Sequence, residues 1–474
     1  MERDRAEPSV ERFPGERAKR WVEYHDAHAA KSTSAYGFVW DTTADAVGPF
    51  CTDIDGNVLL DFTSHVASTP LGYNNPRVRE KLEEFGFTSP TKIAGHSFYA
   101  SSGDSASAPE DADVPGPSHL MDRLTDLTAD YGLDTVFLSN TGAEAVENSI
   151  KICYAHTGAK QAVTFQGAFH GRTLGALSLN RSKAAHRRDY PEIAGVLDFP
   201  YCDDRACTPK TCSCGFFVGG KDGGEEEASA VSQLRNALGS DGYADPDDVA
   251  YIVVEPVQGE GGYLFPSDAF ADELQAICDE HDILLVADEV QTGLGRTGKW
   301  WGCDHYAFEP DVITSAKALQ VGATVSRREV FPDEKARISS TWGAGDLVAC
   351  AQGVTIIETI EEENLLRNAR ERGEQLKSIL REREDGLDAV TDVRGKGLMV
   401  AVELDTKERL KATVRATLER GLLTLGCGVS TVRLLPPLDV REREIDVGAR
   451  LLLDALEEVS DEGVDADCSP TDPV

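Results

Sequence analysis

Positive charge is what this 474-residue chain has least of: 47 Lys and Arg stand against 82 Asp and Glu, a formal net charge of −35. Phosphate backbones would be repelled, so nucleic acid is excluded as a partner. Long apolar runs are missing too, and with them a membrane-spanning helix. The opening stretch Met1-Glu2-Arg3-Asp4-Arg5-Ala6-Glu7 is polar and has no signal-peptide core, so a cytoplasmic location is expected. The 11 cysteines are an odd number, mostly scattered singly, which is the pattern of a reduced intracellular protein. No internal repeat is visible. The acidic excess is spread along the chain; such self-repulsion is screened at high salt and suits a salt-rich cytoplasm. An anionic substrate would have to be held by a few well-placed arginines.

What is present is a chain long enough for more than one core, with an ordinary 41% hydrophobic content. Residues 1–50 read as a partly helical segment, and Asp53-Ile54-Asp55-Gly56-Asn57 as a turn between two short strands. Ser101–Ser118 is acidic and rich in Ala, Ser, Gly and Pro, a surface loop or insertion. From about residue 130, short apolar strands (Val136–Leu138, Ala162–Phe165, Ile252–Glu255, Ile283–Asp288) alternate with helical patterns, one of them near 268–281. Such alternation predicts an α/β fold with a mostly parallel sheet covered by helices on both faces. After Trp342 the pattern changes to a long helix, roughly 346–363, and a second α/β segment ending near 457. The acidic tail after Asp461 is expected to be disordered.

The most informative stretch is Leu284-Leu285-Val286-Ala287-Asp288-Glu289-Val290-Gln291-Thr292-Gly293, followed by the strand Asp311–Ser315 and Ala316-Lys317. One apolar strand delivers a carboxylate at its C-terminal end and a second delivers a lysine just past its own. Ligands of open α/β sheets bind at those ends. A carboxylate for a ring nitrogen and a lysine able to form a Schiff base are what pyridoxal 5′-phosphate (PLP) requires of a protein. Taken singly, each residue has a plain structural explanation.

Other segments complete a site. Ser139-Asn140-Thr141-Gly142-Ala143-Glu144 is a small-residue turn at a helix start, suited to a phosphate, although a simple N-cap at Thr141 explains it as well. Gly167-Ala168-Phe169-His170-Gly171-Arg172-Thr173 offers an aromatic for stacking and a guanidinium for a carboxylate. Glu255-Pro256-Val257-Gln258-Gly259-Glu260 places two acids in a tight loop. Gly293–Lys299 has P-loop spacing, but Trp300 stands where Ser or Thr must be and the strand-loop-helix context is wrong, so a nucleoside-triphosphate site is rejected. Cys202, Cys207, Cys212 and Cys214 lie within 13 residues. Four close thiols can hold zinc or an iron–sulfur cluster, but the usual C-x2-C pair is absent, and a loop of free thiols accounts for them equally. No metal site is expected.

With these motifs in place, the chain resembles the class III, PLP-dependent aminotransferases of fold type I, particularly 4-aminobutyrate aminotransferases and secondarily lysine 6-aminotransferases. The resemblance is carried by Thr141–Glu147, Phe169–Thr173, Glu255–Gly262, Asp288–Gly293, Lys317, Ser340–Gly343, Val393–Met399, Gly426–Gly428 and Val432–Leu434, in family order, over about residues 37–457. It implies a large PLP-binding domain (76–345) on a mostly parallel, seven-stranded-type sheet. A smaller α/β domain would be built from residues 1–75 and 346–474. It further implies that Lys317 is the Schiff-base lysine and proton shuttle and that Asp288 keeps the ring nitrogen protonated. Thr141, Gly142 and Ala143 would serve the phosphate, Phe169 and Val290 would sandwich the ring, and Gln291 would bind its phenolic oxygen. Thr341 would reach the phosphate of a neighbouring subunit in a homodimer with shared sites, which could pair again into a dimer of dimers. Arg172 would bind the distal carboxylate of an ω-amino acid and Arg433 the α-carboxylate of the 2-oxo acid. Glu260 would gate Arg433, with Glu255 nearby.

The implied reaction moves an amino group from an ω-amino acid to 2-oxoglutarate, giving a semialdehyde and glutamate. Two departures from the family pattern, Ala318–Thr324 and Gly343-Ala344-Gly345-Asp346, leave the donor open among 4-aminobutyrate, lysine, ornithine and 2,4-diaminobutyrate. A PLP-dependent racemase or aminomutase shares the same lysine and aspartate and stays open as well. A non-catalytic PLP-binding protein is the third alternative.

Overall fold

The computed structural model describes residues 1–30, 37–95, 97, 109, 112–203, 232–384 and 386–461. They form two compact units. One comprises Lys81–Leu294 and Lys299–Glu358; the other comprises Met1–Glu80, Gly295–Gly298 and Thr359–Val474. The resemblance implies boundaries after residues 75 and 345, and the compact units divide after Glu80 and Glu358.

The first unit is built on a seven-stranded sheet. In chain order its strands are β1 (Thr135–Ser139), β2 (Gln161–Phe165), β3 (Val196–Phe199), β4 (Val249–Val254), β5 (Leu284–Asp288), β6 (Val312–Ser315) and β7 (Gly322–Ser326). Their spatial order is β1-β7-β6-β5-β4-β2-β3. Strand β7 runs antiparallel to both its neighbours; every other pairing is parallel. Strands β4 and β5 are buried at every position, as expected where helices cover both faces of a parallel sheet. Because side chains alternate across a strand, the core divides in two. Ile252, Val254, Leu285 and Ile313 join one cluster with Phe270, Leu274 and Ile277. Tyr251, Val253, Val286 and Val312 join another with Val146, Ile150 and Cys153. Each fully buried aliphatic side chain is worth about 2 kcal/mol.

The covering helices follow from local signals. The helix Asp268–His281 starts at Ser267, whose side chain accepts from Phe270 N, and stops at Asp282 in the left-handed region (φ 55°). Its buried Phe270, Ala271, Leu274, Ile277 and Cys278 form a single stripe. A helix also occupies Leu347–Glu362.

In the second unit, Val390–Lys396, Met399–Leu404, Thr431–Leu434 and Leu425–Cys427 make an antiparallel four-stranded sheet. Phe50–Thr52, Val58–Asp61 and Leu422–Leu423 make a smaller one, so residues early and late in the chain share a sheet. Arg3 ties the N-terminal residues to the half-buried Asp439 (2.6 Å) and the buried Glu444 (2.7 Å). The expected turn at Asp53–Asn57 is closed by Asp53 Oδ1, which accepts from Asp55 N and Asn57 N.

Most of the Ser101–Ser118 loop, the tail after Asp461, and Cys207, Cys212 and Cys214 lie outside the described residues. Cys202 is buried, with Sγ 3.2 Å from Ser267 Oγ. Among the described residues, no group of three or more His, Cys, Asp or Glu is placed to hold a metal. None of their helices is long and apolar enough to cross a membrane.

Candidate active site

The apolar β5 ends at Asp288, and its neighbour β6 ends at Ser315, two residues before Lys317. The register sets Asp288 opposite Thr314. Asp288 is 5% exposed and its carboxylate is aimed by three donors. Oδ1 accepts from Val290 N (3.1 Å) and Thr314 Oγ1 (3.3 Å), and Oδ2 lies 2.7 Å from His170 Nδ1. A buried carboxylate with three partners is held in one orientation.

His170 has no role in the sequence reading, although it sits inside the Phe169-His170-Gly171 motif. It is buried, its backbone N donates to Asn180 Oδ1 (2.6 Å), and its Nε2 has no hydrogen-bond partner among the described residues. Burial alone would push the imidazole down, but the bond to Asp288 and its charge win, and the net shift is upward. The available signal was a titratable ring wedged between an aromatic and a glycine directly after a strand.

Lys317 follows Ala316 into a short 3-10 turn with a positive φ of 24°, and Gln320 closes the turn at φ 71°. A positive φ on a long side chain costs on the order of 1 kcal/mol and tends to mark a functional position. The stretch Ala318–Thr324, where this chain departs from the family pattern, is therefore the turn that aims Lys317 and the strand that follows it.

Three loops converge here with no room to spare. A Cβ on Gly142 would lie 2.7 Å from Val290 Cγ1 and 3.4 Å from Ala316 Cβ. One on Gly171, at φ 134°, would lie 2.7 Å from Ala143 Cβ. One on Gly259 would lie 2.6 Å from Gln291 Nε2. Thr141 caps the helix Gly142–Thr157, its side chain accepting from Glu144 N. The first-turn N–H groups of a helix have no intrahelical acceptors, and its dipole favours an anion there. Gln291 accepts from Tyr263 OH through Oε1 (2.9 Å). Thr341 is exposed; its carbonyl accepts from Gly95 N, and a Cβ on the nearby Gly343 would collide with Ser139 backbone. Gly343 is thus required by close packing against β1.

Phe169 is half-buried, and the exposed Arg172 places Cζ 5.4 Å from its ring centroid. The two acids of the next loop differ. Glu255 is buried and both oxygens are taken by backbone donors, Oε1 by Phe169 N and Oε2 by Gly259 N, each at 2.9 Å. It clamps the loop carrying Phe169 to its own. Glu260 is more open and lies 3.0 Å from Lys183 Nζ. The structure therefore gathers Thr141, Gly142, Ala143, Phe169, Arg172, Glu255, Glu260, Asp288, Val290, Gln291, Lys317 and Thr341 in one unit. Arg433 belongs to the other, buried on the strand Thr431–Leu434.

Glu255 has a testable signature. Burial pushes its carboxyl up to about 7; the His170 charge and the backbone donors oppose this and the Asp288 charge adds to it. A folded-state value above the unfolded one gives stability present below about 4.5 and lost as pH rises to about 7. The thermal midpoint of Glu255→Gln should fall less across that window than that of the wild type. Parallel curves would show that Glu255 does not titrate there.

Orphan helix-start donors, a fixed carboxylate, a glycine-lined cradle and a lysine at a strained strand end suit a planar, phosphorylated pyridine. Residues 37–456 match the aminotransferase class-III family. The 4-aminobutyrate aminotransferase GabT of Escherichia coli is 32% identical over 426 residues, covering 86% of this chain and 91% of its own. An alanine/serine racemase of Pyrococcus horikoshii is 29% identical, covering 94% and 92%. The solved lysine aminotransferase of M. tuberculosis in the internal aldimine form superposes with a TM-score of 0.78 at 28% identity, covering 93% of this chain and 99% of that one. With its fold and its matched span, this chain belongs to the class-III aminotransferases, PLP-dependent enzymes of the transferase class.

Proposed function

We propose that the chain moves the amino group of an ω-amino acid, 4-aminobutyrate or a close analogue, to 2-oxoglutarate, with Lys317 and Asp288 as catalytic residues. The observation that carries the reading is Arg172: a guanidinium 5.4 Å from the Phe169 ring centroid, in a chain of net charge −35. A guanidinium beside the ring expected to stack on the cofactor favours a carboxylate remote from the reacting amine.

Thr141, Gly142 and Ala143 would hold the cofactor phosphate, Phe169 and Val290 its ring faces and Gln291 its phenolic oxygen. Bound PLP supplies the electron sink that makes the donor's amine-bearing carbon acidic. Asp288, fixed by His170, Val290 N and Thr314, keeps a negative charge at the ring nitrogen. Lys317 Nζ would take the proton from that carbon and hold it for return, the acid/base role of a positioned amine. Arg172 orients the donor by its far carboxylate, and Arg433 takes the α-carboxylate of the oxo acid. Glu255, with both oxygens occupied by backbone, positions Phe169 rather than touching substrate. Thr341 is proposed to serve a partner subunit's phosphate in a homodimer, and the cytoplasm is the proposed location.

The test is a donor panel (4-aminobutyrate, lysine, ornithine, 2,4-diaminobutyrate) with 2-oxoglutarate, scored by glutamate formed. 4-Aminobutyrate should lead; a basic donor leading would reassign Arg172. The similarity to an alanine/serine racemase supports a second reading, amino-acid racemisation. The two separate cleanly: transamination stops without a 2-oxo acid, and racemisation does not.

A further inference from the structure

The loop after β4 also carries a backbone outlier. Gln258 and Leu264 close that loop as an antiparallel bridge, N to O in both directions at 3.0 and 3.2 Å. Inside it Gly262 takes a φ of 126° and Tyr263 a φ of 53°. Glycine adopts such values freely, but a bulky aromatic in the left-handed region is an outlier that surrounding contacts must hold in place. Tyr263 is fully buried, at 0% exposure. Its hydroxyl donates to Gln291 Oε1 at 2.9 Å, a bond that spans 28 positions and joins this loop to the residues just past β5. A Cβ on Gly259 would lie 2.6 Å from Gln291 Nε2, so the amide also rests against the backbone of the same loop. The strained tyrosine is placed where it meets one end of the Gln291 side chain.

The two ends of a primary amide differ: the oxygen only accepts and the NH2 only donates. With Oε1 engaged by Tyr263, the end left for a ligand is the donor. A phenolic oxygen on a pyridinium ring is readily deprotonated, and once charged it is stabilised by a donor and repelled by a carbonyl oxygen. We infer that Tyr263 is a positioning residue for the cofactor: its hydroxyl fixes the Gln291 amide so that the NH2, and not the oxygen, is offered to the phenolic oxygen of PLP. This rests on the role proposed above for Gln291. A tyrosine that served packing alone would do as well without its hydroxyl.

The experiment uses PLP-loaded wild type and the variants Tyr263→Phe, Gln291→Leu and the two together. Phenylalanine keeps the buried ring and removes only the hydroxyl. Two quantities are read: the pH midpoint of the change in the visible absorption of bound PLP, and the rate at which PLP leaves the protein. No variant alters an ionisable side chain other than Tyr263 itself, so a shift reports the bonding of the amide. A donor to the charged phenolic oxygen lowers that oxygen's affinity for a proton, so losing the donor raises the midpoint. Tyr263→Phe should move the midpoint up by about one pH unit and speed PLP loss about tenfold, the size expected for one hydrogen bond to a charged group. Gln291→Leu should do at least as much. The double variant should be no worse than Gln291→Leu, because the tyrosine acts through the amide. Wild-type values in Tyr263→Phe, or a double variant whose losses are the sum of the two, overturn the role of Tyr263 and leave that of Gln291 standing. If Gln291→Leu moves neither quantity, the amide does not serve the phenolic oxygen, and the role of Tyr263 falls with it.

Discussion

Lys317→Ala is expected to lower kcat for amine transfer by about ten-thousand-fold or more, the combined loss of a covalent anchor and of a positioned acid/base. The expectation follows from position. Lys317 leaves the end of β6 through a turn with a positive φ, beside the β5 end that carries Asp288. The effect should fall on kcat more than on the donor's KM, because the proposed donor would be held by its remote carboxylate. Stability should change little, since a half-buried lysine is replaced by a residue free of packing demands. Addition of a small primary amine should restore part of the rate if proton transfer is what was lost. A variant that turned over at near wild-type rate would remove Lys317 from the chemistry.

Asp288→Asn should cost about a thousandfold in kcat, comparable to removing one well-placed electrostatic stabiliser from a buried site. The substitution keeps the shape and the donor from Val290 N, but it removes the carboxylate proposed to face the ring nitrogen. It also removes the counter-charge that lifts His170. His170 then loses the bond and the charge that raise it, so burial should push the imidazole down. Nuclear magnetic resonance of the imidazole would report that change directly: a His170 titrating at its wild-type position in Asp288→Asn would mean that Asp288 does not control it. Asp288→Glu should recover less than full activity, because the longer arm moves the carboxylate away from Thr314 and Val290 N.

How much of this was legible in the sequence depended on whether a signal was local. Leu284–Asp288 and Val312–Ser315 are short apolar runs ending in polar residues, which is enough to read two buried strands and the groups at their ends. The helix Asp268–His281 was legible from its apolar stripe, and the seven-stranded sheet followed from the alternating pattern taken with the family resemblance. What stayed hidden depends on contacts remote in sequence. Strand β7 runs antiparallel within an otherwise parallel neighbourhood, and nothing in Gly322–Ser326 announces its direction. His170 meets Asp288 across 118 positions, and Lys183 meets Glu260 across 77, so neither pairing leaves a spacing to read. Glu255 and Glu260 look alike on paper, five residues apart in a glycine-rich loop. Only the fold separates them: one is sealed by two backbone donors and the other pairs with a lysine. The cysteine cluster also owed its interest to spacing alone, and Cys202, the member within the described residues, is buried near Ser267.

The most direct test of the account is to map where PLP attaches. Purified protein loaded with PLP is reduced with borohydride, digested, and its peptides sequenced by mass spectrometry. The account predicts one modified residue, Lys317, in the peptide that follows Ser315-Ala316, with the label lost when a saturating amino donor is added before reduction. Label on another lysine, or equal label with and without donor, would contradict it.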